Sequence, residues 1–388
     1  MTFVLGCVLI VSVAAPAQVF RARTAPVVAL TVPPIASLAP FSGPSPMLVP
    51  ALAPVLVVPT PPVLAVSPSK PKDAEAPSLE RARLEMASRW DGASETQAVF
   101  EDVILSRGKL EALRRLSEPL STPVQLARLQ RTPRPKGETF RFSVIGDAEP
   151  GRFWFSRRFF NTPGVFWKLL TGADKLKGDF IIQLGDMVSR GLIRQFNIFI
   201  RGLIGASLET PYLSVIGNHD RHRPHGVSND RVYRTVFGLT DYAFDRGGWR
   251  FVVVDSSARA LTQAQLSWLE GVVKPGGRTI VFTHVPPAPL GEWTDFGPFK
   301  GVGGFRVGAQ QFMRLMSERG VARVYMGHLH GLGRLVRDGV TYVLSGGGGS
   351  PLFPGPLRRL HHRLSVEVGP EGVRETVHVA NGASFPLR

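Results

Sequence analysis

The stretch 210–220 (TPYLSVIGNHD) constrains the fold of this chain more than any other segment. Its apolar run with β-branched residues is typical of a buried strand, and the run stops at Gly217, ahead of three polar residues. Open α/β folds keep their functional side chains at the carboxyl ends of such strands. The segment therefore predicts a strand that delivers Asn218, His219 and Asp220 to the edge of a sheet.

The same pattern recurs at four other predicted strand ends. Two earlier strands end at Asp147 and Asp186, and the segment 164–176 between them predicts a crossover helix. Two later strands end at His284 and at the GHLH sequence 327–330. Each residue taken singly is more often a turn former, a cap or a hydrogen-bonded structural histidine. Because the carboxyl ends of parallel strands meet at one edge, the full series predicts a common site.

This site would offer oxygen and nitrogen donors and no thiolate. Carboxylates, one amide and several imidazoles are brought together, whereas Cys7, the single cysteine, lies in the first apolar run. Such donors suit hard or borderline divalent ions, and enough of them are present for two ions. Two divalent ions that share a carboxylate are suited to displacement at phosphorus.

The motifs GDAE, GDMV, GNHD, THVPP and GHLH, in this order, resemble the calcineurin-like metallophosphoesterase family over about residues 139–379. The resemblance implies an α/β fold: a four-layer αββα sandwich of two mixed β-sheets, here with an added N-terminal helical segment. It also implies two divalent metal ions, with Mn, Fe, Ni and Zn as open alternatives. The implied reaction is hydrolysis of a phosphate mono- or diester by a hydroxide that bridges the metals.

The resemblance also implies a role for each motif residue. Asp186 would bridge both metals. The first metal would be bound by Asp147 and His330, and the second by Asn218, His284 and His328. His219 would be the general acid that protonates the departing alkoxide, with Asp220 holding it in place.

Glu149 departs from the family pattern, since most of the family has His at this position of the first metal site. Glu149 would bind the first metal directly, bind it through a water molecule, or point away and leave the site weaker. Ser189 lies three residues after Asp186, where the purple acid phosphatase branch would place Tyr, which argues against that branch. Arg221 and His222 follow GNHD directly. They are candidates for lining the phosphate pocket, and a solvated loop is the alternative.

The N-terminal third predicts three segments before the catalytic domain of residues 136–388. Residues 1–22 contain an apolar run followed by small residues, which indicates a secretory signal peptide or a membrane anchor. Residues 23–72 are rich in Pro and Ala and predict a disordered linker. Residues 73–135 predict a helical appendage, in which a helix runs to about Leu116 and prolines follow. The first segment predicts export to the periplasm, the cell surface or the medium.

The chain is strongly basic, with a formal net charge of +16 and a pI near 10.8. Its arginines are scattered through the sequence, so a basic surface is favoured over a dedicated polyanion-binding face, and no specific nucleic acid partner is predicted. A phosphate-ester substrate would be attracted by this charge. Two alternatives to the hydrolase stay open: a metal-binding scaffold of the same fold with weak catalysis, and a basic surface protein that binds polyanions.

Overall fold

The computed structural model of the protein describes residues 107–149, 164–222, 228–297, 300, 303–353 and 355–388. The predicted N-terminal segments 1–22 and 23–72, and the appendage as far as residue 106, lie outside the described residues. Within the described residues, no helix combines the length and the apolar character that crossing a bilayer requires.

The first sheet contains the first three strands that were predicted from the sequence. In the described part of the chain it has six strands. In order across the sheet they are β12 (Ser384–Pro386), β11 (Gly372–Val379), β10 (His362–Gly369), β1 (Phe140–Ile145), β2 (Ile181–Gln183) and β3 (Tyr212–Ser214). Strands β1, β2 and β3 are parallel, whereas β10 to β12 are antiparallel to their neighbours. The sheet is therefore mixed, as expected.

The second sheet contains the last two predicted strands and is also mixed. Its six strands among the described residues run in the order β4, β5, β6, β7, β9, β8. They are β4 (Tyr242–Arg246), β5 (Trp249–Val253), β6 (Thr279–Phe282), β7 (Arg323–Met326), β8 (Leu332–Arg337) and β9 (Val340–Ser345). The four central strands are parallel, and β4 and β8 form antiparallel edges. The five motif strands are thus divided between the two mixed sheets that the family resemblance implied, and they do not share the edge of a single sheet.

Alternating apolar residues explain why the two sheets pack face to face. In β1, Phe142 and Val144 point into the cluster between the sheets. Phe142 stacks on Phe180 with ring centroids 4.7 Å apart and meets Phe251 of the second sheet edge-on at 5.6 Å. Offset stacks and edge-on contacts of this kind are the favoured aromatic geometries. The aromatic layer fixes the sheets against each other, so the strand ends of both sheets can contribute to one site.

Helices cover the two outer faces and complete the four layers. The outer face of the first sheet shares an apolar cluster with four helices. These are α1 (Arg107–Ser117), α3 (Val165–Asp174), α4 (Ile193–Ala206) and α5 (Arg231–Phe237). The second sheet is covered by α6 (Gln263–Val272) and α8 (Ala309–Glu318), and a single turn, α7 (Gly291–Thr294), precedes α8.

The described part of the N-terminal appendage packs on the first sheet. Helix α1 ends at Ser117, close to the expected position, and α2 (Thr122–Gln130) begins after a short 3-10 turn. The side chain of Gln125 accepts a hydrogen bond from the Tyr212 backbone N–H at 2.9 Å. The Arg246 guanidinium donates to the Leu129 carbonyl at 3.1 Å. These contacts join the appendage to β3 and β4, so this part is more than a spacer.

Candidate metal centre

Three predicted metal ligands have a backbone conformation that non-glycine residues rarely adopt. Asp147, Asp186 and His328 have φ angles of 48°, 53° and 72°. Each lies just beyond a strand, where a left-handed residue turns the chain sharply. Such a residue costs on the order of 1–3 kcal/mol, and these residues cluster at functional sites because the surrounding structure must hold them. The turns after these strands thus direct the three side chains toward a common location.

Buried side chains form two groups that could each hold a metal ion. One group is Asp147, Asp186 and His330, and the other is Asp186, His284 and His328. In each group the candidate ligand atoms lie within 4.8 Å of one another. Asp186 belongs to both groups, as a bridging carboxylate must. The donors are carboxylate oxygens and imidazole nitrogens, and this chemistry fits two divalent cations.

In the second group, His284 has its ligand nitrogen fixed by a hydrogen bond on the other side of the ring. Its Nδ1 donates to the Leu184 carbonyl at 2.7 Å. Its Nε2 lies 3.1 Å from Asp186 Oδ2 and 3.1 Å from Asn218 Oδ1. A donor bond of this kind fixes the tautomer of a ligating histidine. Asn218 therefore lies where the sequence placed it, beside the second candidate site.

In the first group, the segment 346–353 holds His330. The His330 Nδ1 donates to the Pro351 carbonyl at 2.7 Å. The Phe353 ring stacks on the imidazole with centroids 4.2 Å apart and an interplanar angle of 11°. His330 Nε2 remains directed at Asp147, 3.6 Å from its Oδ1. The sequence did not point to Pro351 or Phe353, because nothing local links them to the GHLH motif.

Two motif glycines are required by the close packing of the ligands. A Cβ at Gly217 would lie 2.1 Å from Asp186 Oδ1, and a Cβ at Gly327 would lie 2.6 Å from Asp147 Oδ2. Real Cβ atoms do not approach oxygens that closely. The glycines of GNHD and GHLH therefore make room for the carboxylates of Asp186 and Asp147.

The electrostatics of the centre favour binding of cations. Burial raises the pKa of Asp147, and the nearby Asp186 carboxylate adds to this effect. Burial opposes ionisation of His284, but the Asp186 charge outweighs it and raises the pKa of His284 to about 9. Burial lowers the pKa of His330 to about 4, so this ring is neutral at pH 7. A divalent cation would relieve the repulsion between the crowded carboxylates, and it would displace the proton that His284 carries at pH 7 in the metal-free centre.

Glu149 is buried beside the centre but belongs to neither ligand group. Its Oε2 accepts a hydrogen bond from the Ser189 hydroxyl at 2.9 Å, and its charge contributes to raising the pKa of Asp147. Its backbone N–H donates to the Asp186 carbonyl at 2.9 Å. The carboxylate thus lies near Asp147, on the same side of the centre as the first group. Whether it binds a metal directly, binds it through a water molecule or points away stays a prediction.

His219 lies at the centre, but Asp220 does not orient it as predicted. The His219 Nδ1 donates to the Ser189 carbonyl at 3.0 Å, and its backbone N–H donates to Asp186 Oδ1 at 2.8 Å. The Asp220 carboxylate instead accepts four backbone N–H bonds at 2.8–3.1 Å, from Asp186, Met187, Val188 and Gly217. A carboxylate has about four acceptor positions, so all are used. Asp220 therefore fixes the two ligand-bearing turns, and Ser189 orients His219.

The two candidates for substrate contact lie in different surroundings. The Arg221 guanidinium donates to Ser228 at 2.8 Å and to Ser257 at 3.1 Å, and it lies 3.5 Å from Asp255. These bonds direct Arg221 to the loop after β5. The backbone of His222 pairs with Asn229, and its side chain is buried. Neither residue belongs to the ligand groups, and their contact with substrate stays a prediction.

Arg259 is a residue of the site that the sequence reading missed. Its guanidinium Nη2 lies 3.4 Å from His328 Nε2. It follows the segment FVVVDSSA (residues 251–258), which contains none of the five motifs. A basic residue in a loop between a strand and a helix carries no local sign that its side chain reaches a motif 69 residues away.

These features define an αββα protein with two adjacent candidate metal sites that share a carboxylate. Residues 140–332 match the family model described as calcineurin-like phosphoesterase, and this part of the chain belongs to that family. The resemblance carried by the five motifs is thereby confirmed.

Curated relatives agree with this family, and a solved structure agrees with the fold. The chain is 30% identical over 173 residues to the glycerophosphodiester phosphodiesterase GpdQ of Enterobacter lignolyticus, covering 40% of this chain and 56% of the relative. It is 24% identical over 174 residues to a 3′,5′-cyclic-nucleotide phosphodiesterase of Nostoc sp., covering 42% of this chain and 60% of the relative. The chain thus spans little more than half the length of these relatives. A purple acid phosphatase from yellow lupin is similar in fold, with a TM-score of 0.51 at 17% identity, covering 66% of this chain and 54% of that one.

Proposed function

We propose that the protein is a metal-dependent phosphoric ester hydrolase that acts on phosphodiesters. The observation that carries this proposal is the arrangement of two buried candidate ligand groups around the shared Asp186, whose carboxylate accepts a hydrogen bond from the His219 backbone N–H. The relatives named as phosphodiesterases support the diester as the substrate class. A monoester is the alternative, because the metal groups alone do not separate the two ester classes.

The chemistry of the metal ions would be electrophilic. When bound, two divalent cations would hold phosphate oxygens and lower the pKa of a water molecule toward neutrality. Asp186 would lie between the cations, with Asp147 and His330 on one side and the remaining ligands on the other. Asn218, His284 and His328 form that other side. The identity of the metals is open among Mn, Fe, Ni and Zn.

The proton for the leaving group would come from His219. The bond from Nδ1 to the Ser189 carbonyl leaves Nε2 as the nitrogen that can carry the transferred proton. Expelling an alkoxide from phosphorus requires such a proton, and an imidazole is suited to supply it near neutral pH. Ser189 therefore positions the acid, and Asp220 positions the turns on which Asp186 and His219 lie.

The test is a hydrolysis assay on protein stripped of metal and reloaded with one divalent metal at a time. The substrates are bis(p-nitrophenyl) phosphate and p-nitrophenyl phosphate, and bound metal is counted in parallel. Asp186→Asn is the test variant, and Asp338→Asn is its matched control. Asp338 is also a left-handed aspartate, with φ of 51°, but it lies in the turn between β8 and β9. Asn tolerates this backbone conformation, so the comparison isolates the metal-bridging role.

We expect metal-dependent turnover that favours the diester, that collapses in Asp186→Asn and that persists in Asp338→Asn. Two metal ions bound per chain without turnover on either ester would overturn the hydrolase and support the metal-binding scaffold. Turnover that survives in Asp186→Asn would place the activity elsewhere in the chain.

Export stays a proposal that rests on residues 1–22. Their apolar run and the small residues after it support a signal peptide or an anchor. Fractionation of cells that express the full chain would show which applies. A chain found whole in the cytoplasm would overturn both.

A further inference from the structure

Arg259 lies at the candidate metal centre in a strained backbone conformation. Its φ of 62° makes it one of the left-handed non-glycine residues of the described chain, and its guanidinium reaches to 3.4 Å from His328 Nε2. The residue is partly buried. Of the left-handed residues, three are predicted metal ligands, namely Asp147, Asp186 and His328. Arg259 shares the costly geometry of the ligands although it cannot bind a cation.

The loop that carries Arg259 is fixed to the segment that carries His284. The Ser256 hydroxyl donates to the Val285 carbonyl at 3.0 Å and accepts from the Val285 N–H at 2.8 Å. The Thr283 hydroxyl donates to the Ser256 hydroxyl at 2.7 Å. The Arg259 N–H closes the turn by donating to the Ser256 carbonyl at 2.8 Å. The position of Arg259 relative to the centre is thus built into the fold and does not depend on a mobile loop.

Metal loading would change what the Arg259 guanidinium can contact. It can donate to His328 Nε2 only while that nitrogen holds a free lone pair. If Nε2 binds a metal, the lone pair is used; if Nδ1 binds the metal, Nε2 of the neutral ring carries a hydrogen. In either tautomer the bond to His328 is lost. Because arginine stays charged, two divalent cations bound nearby would repel the guanidinium unless an anion lay between it and the cations.

We propose that Arg259 is a substrate-binding residue, whose guanidinium holds a phosphate oxygen of the ester bound at the metal centre. This inference rests on the proposed function and adds a contact that comes from outside the five motifs. A guanidinium pairs well with phosphate oxygens through two parallel N–H bonds. Arg221, the candidate named from sequence, instead contacts Asp255 and Ser257 and so supports the loop on which Arg259 lies.

The experiment measures binding of inorganic phosphate to the metal-loaded protein by titration calorimetry. Arg259→Asn removes the guanidinium, and Asn tolerates the left-handed backbone conformation at this position. Arg259→Lys keeps the positive charge but cannot form two parallel N–H bonds to a phosphate. Lys177→Asn is the matched control. Lys177 is also a left-handed cation, with φ of 48°, but it lies between α3 and β2, at the opposite end of the strands. Bound metal and the thermal midpoint are measured for every variant.

We expect phosphate to bind about tenfold to a hundredfold more weakly to Arg259→Asn, because its charged hydrogen bonds to the guanidinium are lost. Arg259→Lys should fall between this variant and the wild type. Lys177→Asn should match the wild type, and all variants should bind the same amount of metal.

Phosphate affinity within twofold of wild type in Arg259→Asn would overturn the inference, as would a loss of bound metal in that variant. An equal loss in Lys177→Asn would also overturn it, because general charge would then be the cause. The inference can fail while wild-type hydrolysis persists. If no ester is hydrolysed, phosphate binding that still depends on Arg259 would uphold the binding role and overturn only the proposed hydrolase.

Discussion

The Nδ1 atom of His219 donates a hydrogen bond to the backbone carbonyl of Ser189 at 3.0 Å. The hydroxyl of the same serine donates to Glu149 at 2.9 Å. Ser189 therefore links the proposed acid to the side of the first candidate metal site. Since Ser189 lies three residues after Asp186, one short turn carries the proposed bridging ligand and the carbonyl that accepts from the proposed acid. Movement of this turn would affect both functions together.

Replacing His219 by Gln should lower kcat by about a hundredfold to ten-thousandfold while two metals stay bound, because a general acid contributes about this much. The loss should be smaller for a p-nitrophenyl ester than for an alkyl ester, since p-nitrophenolate leaves without needing a proton. The measurement is kcat for both esters together with the metal content. His378→Gln on β11 is the control, as this histidine lies outside both ligand groups. An equal loss for both esters would contradict the role as acid.

Replacing Asp220 by Asn should lower the free energy of unfolding by about 3 kcal/mol and weaken metal binding. The carboxylate now accepts hydrogen bonds from four backbone N–H groups. In the amide, the NH2 group would face some of these N–H groups, and because two donors cannot bond each other, those hydrogen bonds would be lost. Denaturant unfolding and metal counting measure both effects, with Asp338→Asn as control. If Asp220 oriented His219, the substitution would reduce kcat while stability stayed unchanged.

Glu149 should strengthen the first metal site through its negative charge. We expect Glu149→Gln to weaken binding of one of the two metals by about tenfold, because the amide retains the acceptor for Ser189 but loses the charge. Glu149→His, which introduces the residue common in the family, should restore the affinity. Competition titration with a chelator measures both constants. Unchanged affinity in Glu149→Gln would show that this carboxylate points away from the metal.

The residues that the sequence predicted correctly as neighbours share a local pattern. Asp147, Asp186 and His284 each lie just beyond an apolar strand, so strand direction alone places each of them at the carboxyl end of its strand. The division of the five strands between two sheets was not visible in that pattern. It depends on which strands pair, and pairing is a relation between distant segments.

The sequence reading was wrong where it inferred contact from adjacency. Asp220 follows His219 directly, yet its carboxylate turns back to the backbone of the Asp186 turn. Arg259 and Phe353 were missed for the complementary reason, since each contacts a GHLH histidine from a separate loop. The proximity of the candidate ligands was therefore predictable from the motifs, whereas the residues around them depend on tertiary packing.

The helical appendage should contribute to the stability of the sheet domain. Leu113 of α1 is fully buried in the cluster on the first sheet. We expect Leu113→Ala to lower the free energy of unfolding by about 2–5 kcal/mol, as large-to-small changes in cores do. Val124→Ala on α2, where the side chain is 43% exposed, should cost far less. If both substitutions changed the free energy of unfolding only negligibly in denaturant titrations, the appendage would be an independent spacer.

His362 should make the metal-free protein sensitive to acid. It is fully buried, its Nδ1 donates to the Leu360 carbonyl at 2.9 Å, and its Nε2 accepts from the Ser345 hydroxyl at 3.0 Å. Burial lowers the pKa of His362 from 6.5 to about 4. The unfolded chain therefore binds this proton more tightly, so the stabilisation is complete above pH 6.5 and is lost as the pH falls to about 4.

The loss should reach about 3 kcal/mol, since one pKa unit corresponds to about 1.4 kcal/mol. Between pH 7 and pH 4, the free energy of unfolding of metal-free His362→Gln should fall less steeply than that of the metal-free wild type. The difference in free energy of unfolding between the two proteins should therefore shrink by that amount over this pH range. Urea titrations at several pH values measure the difference, and the other buried histidines affect both proteins alike. A difference that does not change with pH would show that another group causes the acid sensitivity.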